Sequence, residues 1–189
     1  HLNDPIKGGD QIRRTFDEIS SQTDMPLLAY EVSGNFDLAL VQHLAEMPSV
    51  ICITCHDALY GFYDYARSTR DEQFGVLGAG LMLQFLFGYL VGSPAYLCLI
   101  TSFVPQVGLE FYSAMRDDDL QTARQIVFEH EEPLMSVCRS LGFPHTYKSL
   151  HYLAGHYRTN LMRSPRLAND EQALQPLQEH IKQKYGIGT

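Results

Sequence analysis

Cations are scarce in this sequence. Lysine and arginine together number 14 against 22 aspartates and glutamates, a formal net charge of -8. A chain so poor in positive charge lacks the main source of affinity for a phosphate backbone, so no nucleic acid is expected as a partner. Charge of either sign is missing altogether between Glu72 and Glu110, and residues 81–90 (LMLQFLFGYL) are intensely apolar. A membrane helix needs about 20 consecutive apolar residues. Here Gly92-Ser93-Pro94 cuts the run into a helix-length and a strand-length piece, which reads as a buried helix and strand rather than a membrane span. No signal peptide is expected, since residues 1–9 are polar and no apolar run follows them. Cysteines are few. Cys52, Cys55, Cys98 and Cys138 all lie inside apolar stretches, as buried, reduced thiols would. The expectation is a cytoplasmic protein. No segment is of low complexity, and no charge block is longer than Asp117-Asp118-Asp119.

What is present is apolar residues in a repeating order, 45% of the 189 residues, enough for a core of about one domain. Residues 10–22 have helical spacing through Ile12, Phe16 and Ile19. A short apolar run follows at 27–32 (LLAYEV), then a helical pattern with Phe36, Leu40, Leu44 and Met47 on one face, stopped at Pro48. The next strand is expected at 50–54 (VICIT), followed by a helix through Leu59, Phe62, Tyr63 and Ala66. A third strand is expected at 74–77, with a helix over 81–91, and a fourth at 96–100 (YLCLI), with a helix around 107–115. Near-continuous apolar strands alternating with helices signal a parallel sheet covered on both faces. Beyond Asp117 the strand signal stops. Residues 120–141, 147–157 and 168–184 are helical patterns, with Asp118 or Asp119 as an N-cap. The pattern is α/β: four β/α units over residues 1–117 and a helical extension over 118–189. Four such strands make either a small open sheet or half of a closed eight-stranded barrel. The chain opens on a loop and helix with no strand before them, so an upstream segment is expected to be missing.

In parallel α/β folds chemistry gathers at the C-terminal strand ends. Those ends carry Tyr30 and Glu31, Thr54 with Cys55-His56-Asp57, Gly78-Ala79-Gly80, and Thr101-Ser102. Cys52-Ile53-Thr54-Cys55-His56 fits the C-x-x-C-H pattern of haem attachment, but Cys52 belongs to a strand expected to be buried. His130, His145, His151 and His156 have poor helical facing, with His145 and His156 standing at i−6 and i+5 from His151, and read as solvated helix histidines rather than ligands. The Tyr60, Tyr63 and Tyr65 cluster reads as a helix packing on the sheet. No metal and no cofactor are expected.

Several stretches resemble one family. Met25-Pro26-Leu27-Leu28-Ala29-Tyr30-Glu31-Val32-Ser33-Gly34 is similar to the P-V-x-x-Y-N-x-P strand of the dihydrodipicolinate synthase/N-acetylneuraminate lyase family. Leu44-Ala45-Glu46-Met47-Pro48-Ser49-Val50-Ile51-Cys52-Ile53-Thr54 resembles its L-A-x-x-P-N-I-V-G-I-K. Residues 89–105 lie without a gap on L-A-L-G-A-x-G-x-I-S-V-T-A-N-x-x-P. Asp118-Asp119-Leu120-Gln121-Thr122-Ala123-Arg124 resembles G-D-L-x-x-A-R, while Tyr147-Lys148-Ser149-Leu150 and Ser164-Pro165-Arg166-Leu167 fall where the family has V-K-A-A-L and R-x-P-L. The order and spacing of these stretches carry the resemblance, which covers nearly the whole chain but only about the last two-thirds of a family member.

The resemblance implies the last four β/α units of a (β/α)8 TIM barrel plus a C-terminal three-helix extension, and class I aldolase chemistry: a strand-end lysine forms a Schiff base with pyruvate and a tyrosine relays protons. Tyr30 matches the tyrosine. The lysine position is Thr54, which has no amine, and the only lysines are Lys7, Lys148, Lys182 and Lys184, all away from the expected strand ends. The carboxylate-holding arginine of some members falls at Asn35. The last strand's G-x-I-S becomes Ala95-Tyr96-Leu97-Cys98, with bulky Tyr96 for an aliphatic residue. Gly80, Tyr96 and Cys98 join Asn35 as substrate-binding candidates, while the family's Thr-Thr pair lies on an early strand absent from this chain. Three readings stay open: a diverged member without Schiff-base activity; an active carbon–carbon lyase or dehydratase on a pyruvate-type 2-oxo acid, completed by an N-terminal half; and an unrelated α/β binding module. The expected partners are that small 2-oxo acid and a second copy or the missing half, since open sheet edges beside apolar surface favour association.

Overall fold

The computed structural model describes residues 9–31, 36–57, 60–70, 73–142 and 145–188. The chain divides into two compact units, His1–Cys98 and Leu99–Thr189.

The first unit alternates helix and strand: α1 Gly9–Gln22, β1 Leu27–Ala29, α2 Leu38–Glu46, β2 Val50–Cys55, α3 Tyr60–Ser68, β3 Gly75–Gly80, α4 Met82–Tyr89 and β4 Tyr96–Cys98. All four strands are parallel and lie in sequence order, β1-β2-β3-β4. Each helix forms because its apolar residues recur on one side. Ile12 and Phe16 are the buried pair of α1, and Leu40, Val41 and Leu44 the buried side of α2. The Asp37 carboxylate accepts from the Leu40 amide at 2.8 Å, capping α2. Of the tyrosines expected to pack on the sheet only Tyr65 does. Its hydroxyl donates to the Phe36 carbonyl at 2.6 Å, whereas Tyr60 and Tyr63 are exposed.

Three strands end differently from the sequence expectation, for identifiable reasons. β1 stops at Ala29 rather than Val32, because the next amide in line, that of Glu31, bonds to a side chain instead of to the ladder. Val32 itself lies outside the described residues. β3 runs on through Gly78-Ala79-Gly80. A Cβ on Gly78 would sit 3.4 Å from the Phe85 amide nitrogen, so the missing side chain admits α4 close against the strand. β4 ends at Cys98, and residues 99–100, expected to extend it, begin a helix in which Leu99, Ile100 and Phe103 are buried together.

The second unit is helical: α5 Leu99–Phe103, α6 Pro105–Arg116, α7 Leu120–Ile126, α8 Glu132–Cys138, α9 His145–Leu153 and α10 Glu171–Tyr185. Asp119 caps α7, accepting from the Thr122 amide at 3.0 Å. A π-helical turn, Val127–Glu131, joins α7 to α8. Pro133 in the first turn of α8 has no amide for the Glu129 carbonyl, and its ring would crowd that carbonyl in an α-helix. The widened turn, in which the Glu132 amide reaches back to Val127, relieves both problems. α10 ends on Gly186 at φ 64°, with its amide on the Ile181 and Lys182 carbonyls.

His151 corrects the reading of solvated helix histidines, whereas His156 is exposed and lies just beyond the helix. α9 ends at Leu153, and the chain reverses at Gly155, φ 77°. The turn brings the Nδ1 atoms of His151 and His156 to 3.0 Å, while Ser102 Oγ lies 3.3 Å from His151 Nε2. His151 is only 7% exposed. Helical spacing could not foresee this, because the pair meets across a turn. Among the described residues no cluster of three or more metal-ligating side chains forms, and no helix is long and apolar enough to cross a membrane.

Candidate active site

The strand ends of the first unit are stitched by side chains once the backbone ladder stops. The Glu31 amide donates to Thr54 Oγ1 at 2.8 Å, and Thr54 Oγ1 donates to the Glu31 carbonyl at 3.2 Å. His56 Nδ1 bonds to that same carbonyl, which uses both of its lone pairs. Since a carbonyl only accepts, Nδ1 must carry the proton. Thr54 has no solvent exposure, and its hydroxyl is committed in both directions.

Residues alternate across the strand. Ala29 and Glu31 are buried, while Leu28 and Tyr30 are about two-fifths exposed at 41% and 44%. Tyr30 thus stands on the open face of the sheet, its ring edge-on to His56 with centroids 5.4 Å apart. Partial burial pushes its phenol above the ordinary value, so the hydroxyl stays protonated and able to donate. No direct Tyr30–Thr54 hydrogen bond forms; the two positions are linked through Glu31 and His56.

Gly80 closes β3 at φ 122°, a region that favours glycine. A Cβ there would lie 4.0 Å from His56 Cδ2 and 3.8 Å from Gln84 Oε1. Gln84 is buried and donates through Nε2 to the carbonyls of Cys55, 2.8 Å, and Asp57, 3.1 Å, so it pins the backbone on both sides of His56. Tyr96 stacks on Phe85 at 4.8 Å, and Cys98 pairs in register with Gly80. Asn35 lies outside the described residues. The Cys55 thiol is raised to about 11, by desolvation first and then by the neighbouring charges of Asp57 and Glu31, against a lowering bond from the Asp57 backbone. It is therefore a protonated core thiol rather than a nucleophile. Cys52 is buried too, which leaves the C-x-x-C-H pattern without an exposed thiol.

His56 and Gln84 are the two site residues that sequence reasoning did not single out. Gln84 had a signal, being the only polar side chain within residues 81–90. His56 stood among the strand-end residues, but nothing in its spacing separated it from Asp57.

The family model for the dihydrodipicolinate synthetase family matches residues 9–184. Among curated proteins, a probable 5-dehydro-4-deoxyglucarate dehydratase of Acinetobacter baumannii (strain AB307-0294) is 25% identical over 125 residues, 64% of this chain and 41% of that protein. Among solved structures, dihydrodipicolinate synthase from Bacillus clausii superposes with TM-score 0.80 at 16% identity, over 96% of this chain and 62% of that one. A prophage protein of the dihydrodipicolinic acid synthase family from E. coli K12, solved in complex with pyruvate, gives TM-score 0.78 at 19% identity, over 94% and 62%. The chain thus spans about two-fifths of the curated relative and about three-fifths of the solved structures. The four-stranded parallel sheet and its helices are consistent with part of a TIM barrel. With nearly its whole described length matched by the family model, the chain belongs to the dihydrodipicolinate synthetase family.

Proposed function

We propose that this chain is a diverged member of its family that does not use a lysine imine. The observation that carries the reading is Thr54. The position where the resemblance puts the Schiff-base lysine holds a hydroxyl with no solvent exposure, bonded in both directions to the Glu31 backbone. Such a group neither condenses with a ketone nor meets one. Tyr30, at the family's proton-relay position, stays half exposed beside it, and Gly80, Tyr96 and Cys98 are the strand-end positions left to contact a small 2-oxo acid. The test is reductive trapping. Pyruvate with borohydride leaves the chain's mass unchanged; a stoichiometric adduct on any of Lys7, Lys148, Lys182 or Lys184 refutes the reading.

A second reading, an active lyase or dehydratase on a pyruvate-type 2-oxo acid, is favoured by the open sheet. Leu28, Tyr30, Ile51 and Leu97, all in or beside the strands, are exposed, as the inward face of a barrel is when its other strands are lacking. By this reading residues 1–117 supply a barrel half, residues 118–189 a helical extension, and an N-terminal half or a second copy covers the face. Sedimentation then shows association; a stable monomer of 21.4 kDa counts against it. Free thiols, three of the four buried and Cys98 partly so, suit the reducing cytoplasm for either reading.

A further inference from the structure

We propose that His56, through Nε2, is the base of this strand-end site and that it removes a proton from the carbon next to the carbonyl of a 2-oxo acid, with the Tyr30 hydroxyl donating to the carbonyl oxygen. The inference rests on the imine-free reading above and gives that site its chemistry.

Five observations carry it. The bond from His56 Nδ1 to the Glu31 carbonyl puts the proton of the neutral ring on Nδ1, which leaves Nε2 as the lone-pair nitrogen of that form. A backbone carbonyl bonded to one ring nitrogen is the usual way a protein aims the other. Thr54, by holding Glu31 from both sides, fixes the carbonyl that does the aiming. Gln84 immobilises the backbone before and after His56, so the ring is held by its peptide as well as by its nitrogen. Gly80 contributes no side chain on the Cδ2 side, the carbon bonded to Nε2. Tyr30 brings a hydroxyl to the sheet's open face and stands edge-on to the ring. Its partly desolvated phenol remains a donor at neutral pH.

The step balances without a further reactant. The C–H bond next to the carbonyl breaks and its proton goes to Nε2. The electron pair forms a carbon–carbon double bond as the carbonyl π pair moves onto oxygen. The resulting enolate oxygen accepts the Tyr30 hydrogen bond, and return of a proton or deuteron from Nε2 restores the 2-oxo acid. General base catalysis of this kind contributes about 10²–10⁴-fold.

The experiment follows exchange of the pyruvate methyl protons in D2O by proton NMR, with the whole chain, alongside ¹⁵N–¹H long-range spectra of its histidines. His56→Asn is the informative variant, because its amide can still donate to the Glu31 carbonyl in place of Nδ1–H while the base is gone. Expected are a His56 signal of the Nδ1–H tautomer, exchange catalysed by the unmodified chain, and exchange about 100-fold slower in His56→Asn. Tyr30→Phe slows exchange without altering the tautomer. An Nε2–H tautomer in the unmodified chain overturns the proposal whatever the variants do. So does exchange no faster than in His56→Asn, or none above buffer. A borohydride adduct formed with pyruvate, accompanied by exchange that survives in His56→Asn, overturns the imine-free reading as well. An exchange-inactive chain without an adduct removes only the role given to His56.

Discussion

Replacing Thr54 by valine deletes one oxygen and changes little else, since the two side chains have nearly the same shape. The Glu31 carbonyl keeps its His56 donor, so the loss falls on the Glu31 amide, whose 2.8 Å acceptor disappears in a place without solvent. A buried donor left unsatisfied costs about 1–3 kcal/mol, and no cavity adds to it. Thr54→Ser makes the opposite change. The oxygen stays and one buried methyl goes, at about 1 kcal/mol for the lost group and the small void. The expected order of stability is therefore Thr, then Ser, then Val, although valine is the more apolar residue and would win on hydrophobic burial alone. For a chain of this size each kcal/mol moves Tm by about 2–4 °C, which puts the valine variant about 2–12 °C below the parent. Urea titration at unchanged m-value reads the same quantity, and amide hydrogen exchange at Glu31 should accelerate selectively in Thr54→Val. If Val equals or exceeds Ser, or the Glu31 amide keeps its protection, the hydroxyl clamp is not what holds these strand ends. Thr54→Lys is the sharper extension. It places an ammonium where nothing is exposed, and an unpaired buried charge costs several kcal/mol. The amine of the family's chemistry thus cannot be restored by that substitution alone.

Gly108→Ala should destabilise the second unit by about 1–3 kcal/mol through overpacking, since its Cβ would lie 2.3 Å from Thr101 Cγ2; Thr101→Ser in the same chain should recover part of the loss in a denaturation cycle, and strict additivity refutes the contact. His151 has its pKa lowered by burial first and by His156 second, so its contribution to stability is intact above the unfolded value of about 6.5 and drains away as pH falls below it. His130 and His180, lowered by burial and then by Lys184, add to the same trend. Stability measured from pH 7.5 to 5 should fall with a slope that His151→Gln reduces, and a flat profile contradicts the assignment. Tyr65→Phe removes the 2.6 Å bond to the Phe36 carbonyl and should cost about 1 kcal/mol, read as a lower urea midpoint.

Most of the first unit was legible because its periodicities are clean. α1 and β2 fall within a residue of their expected bounds, since one has a helical stripe and the other a β-branched run interrupted only by Cys52. The misjudged ends were settled by tertiary partners. Gly78-Ala79-Gly80 carries loop composition, yet it is strand because α4 packs where side chains would have been. Residues 99–100 carry strand composition, yet they are helical because Leu99, Ile100 and Phe103 bury together at helical spacing. Glycine and β-branched residues report local preference, and at these two places a neighbouring surface outweighed it.

The site was legible only in part, and the reason lies in how it is built. Its positions follow from a parallel sheet ending at a common edge, so Tyr30, Thr54 and Gly80 could be placed side by side from strand order alone. What those residues do there depends on the bonds of one backbone carbonyl, which no side-chain pattern encodes. Thr54 and His56 stand at i and i+2 across the end of β2, spacing that says only that they lie on the same side of the chain. That both reach the Glu31 carbonyl follows from β1 ending two residues before Glu31, at the point where its ladder with β2 gives out. The family pattern drew attention to Thr54 for the amine it lacks. In the folded chain Thr54 fixes the carbonyl that fixes the tautomer of His56, and the basic nitrogen of the site is found two residues further along the chain.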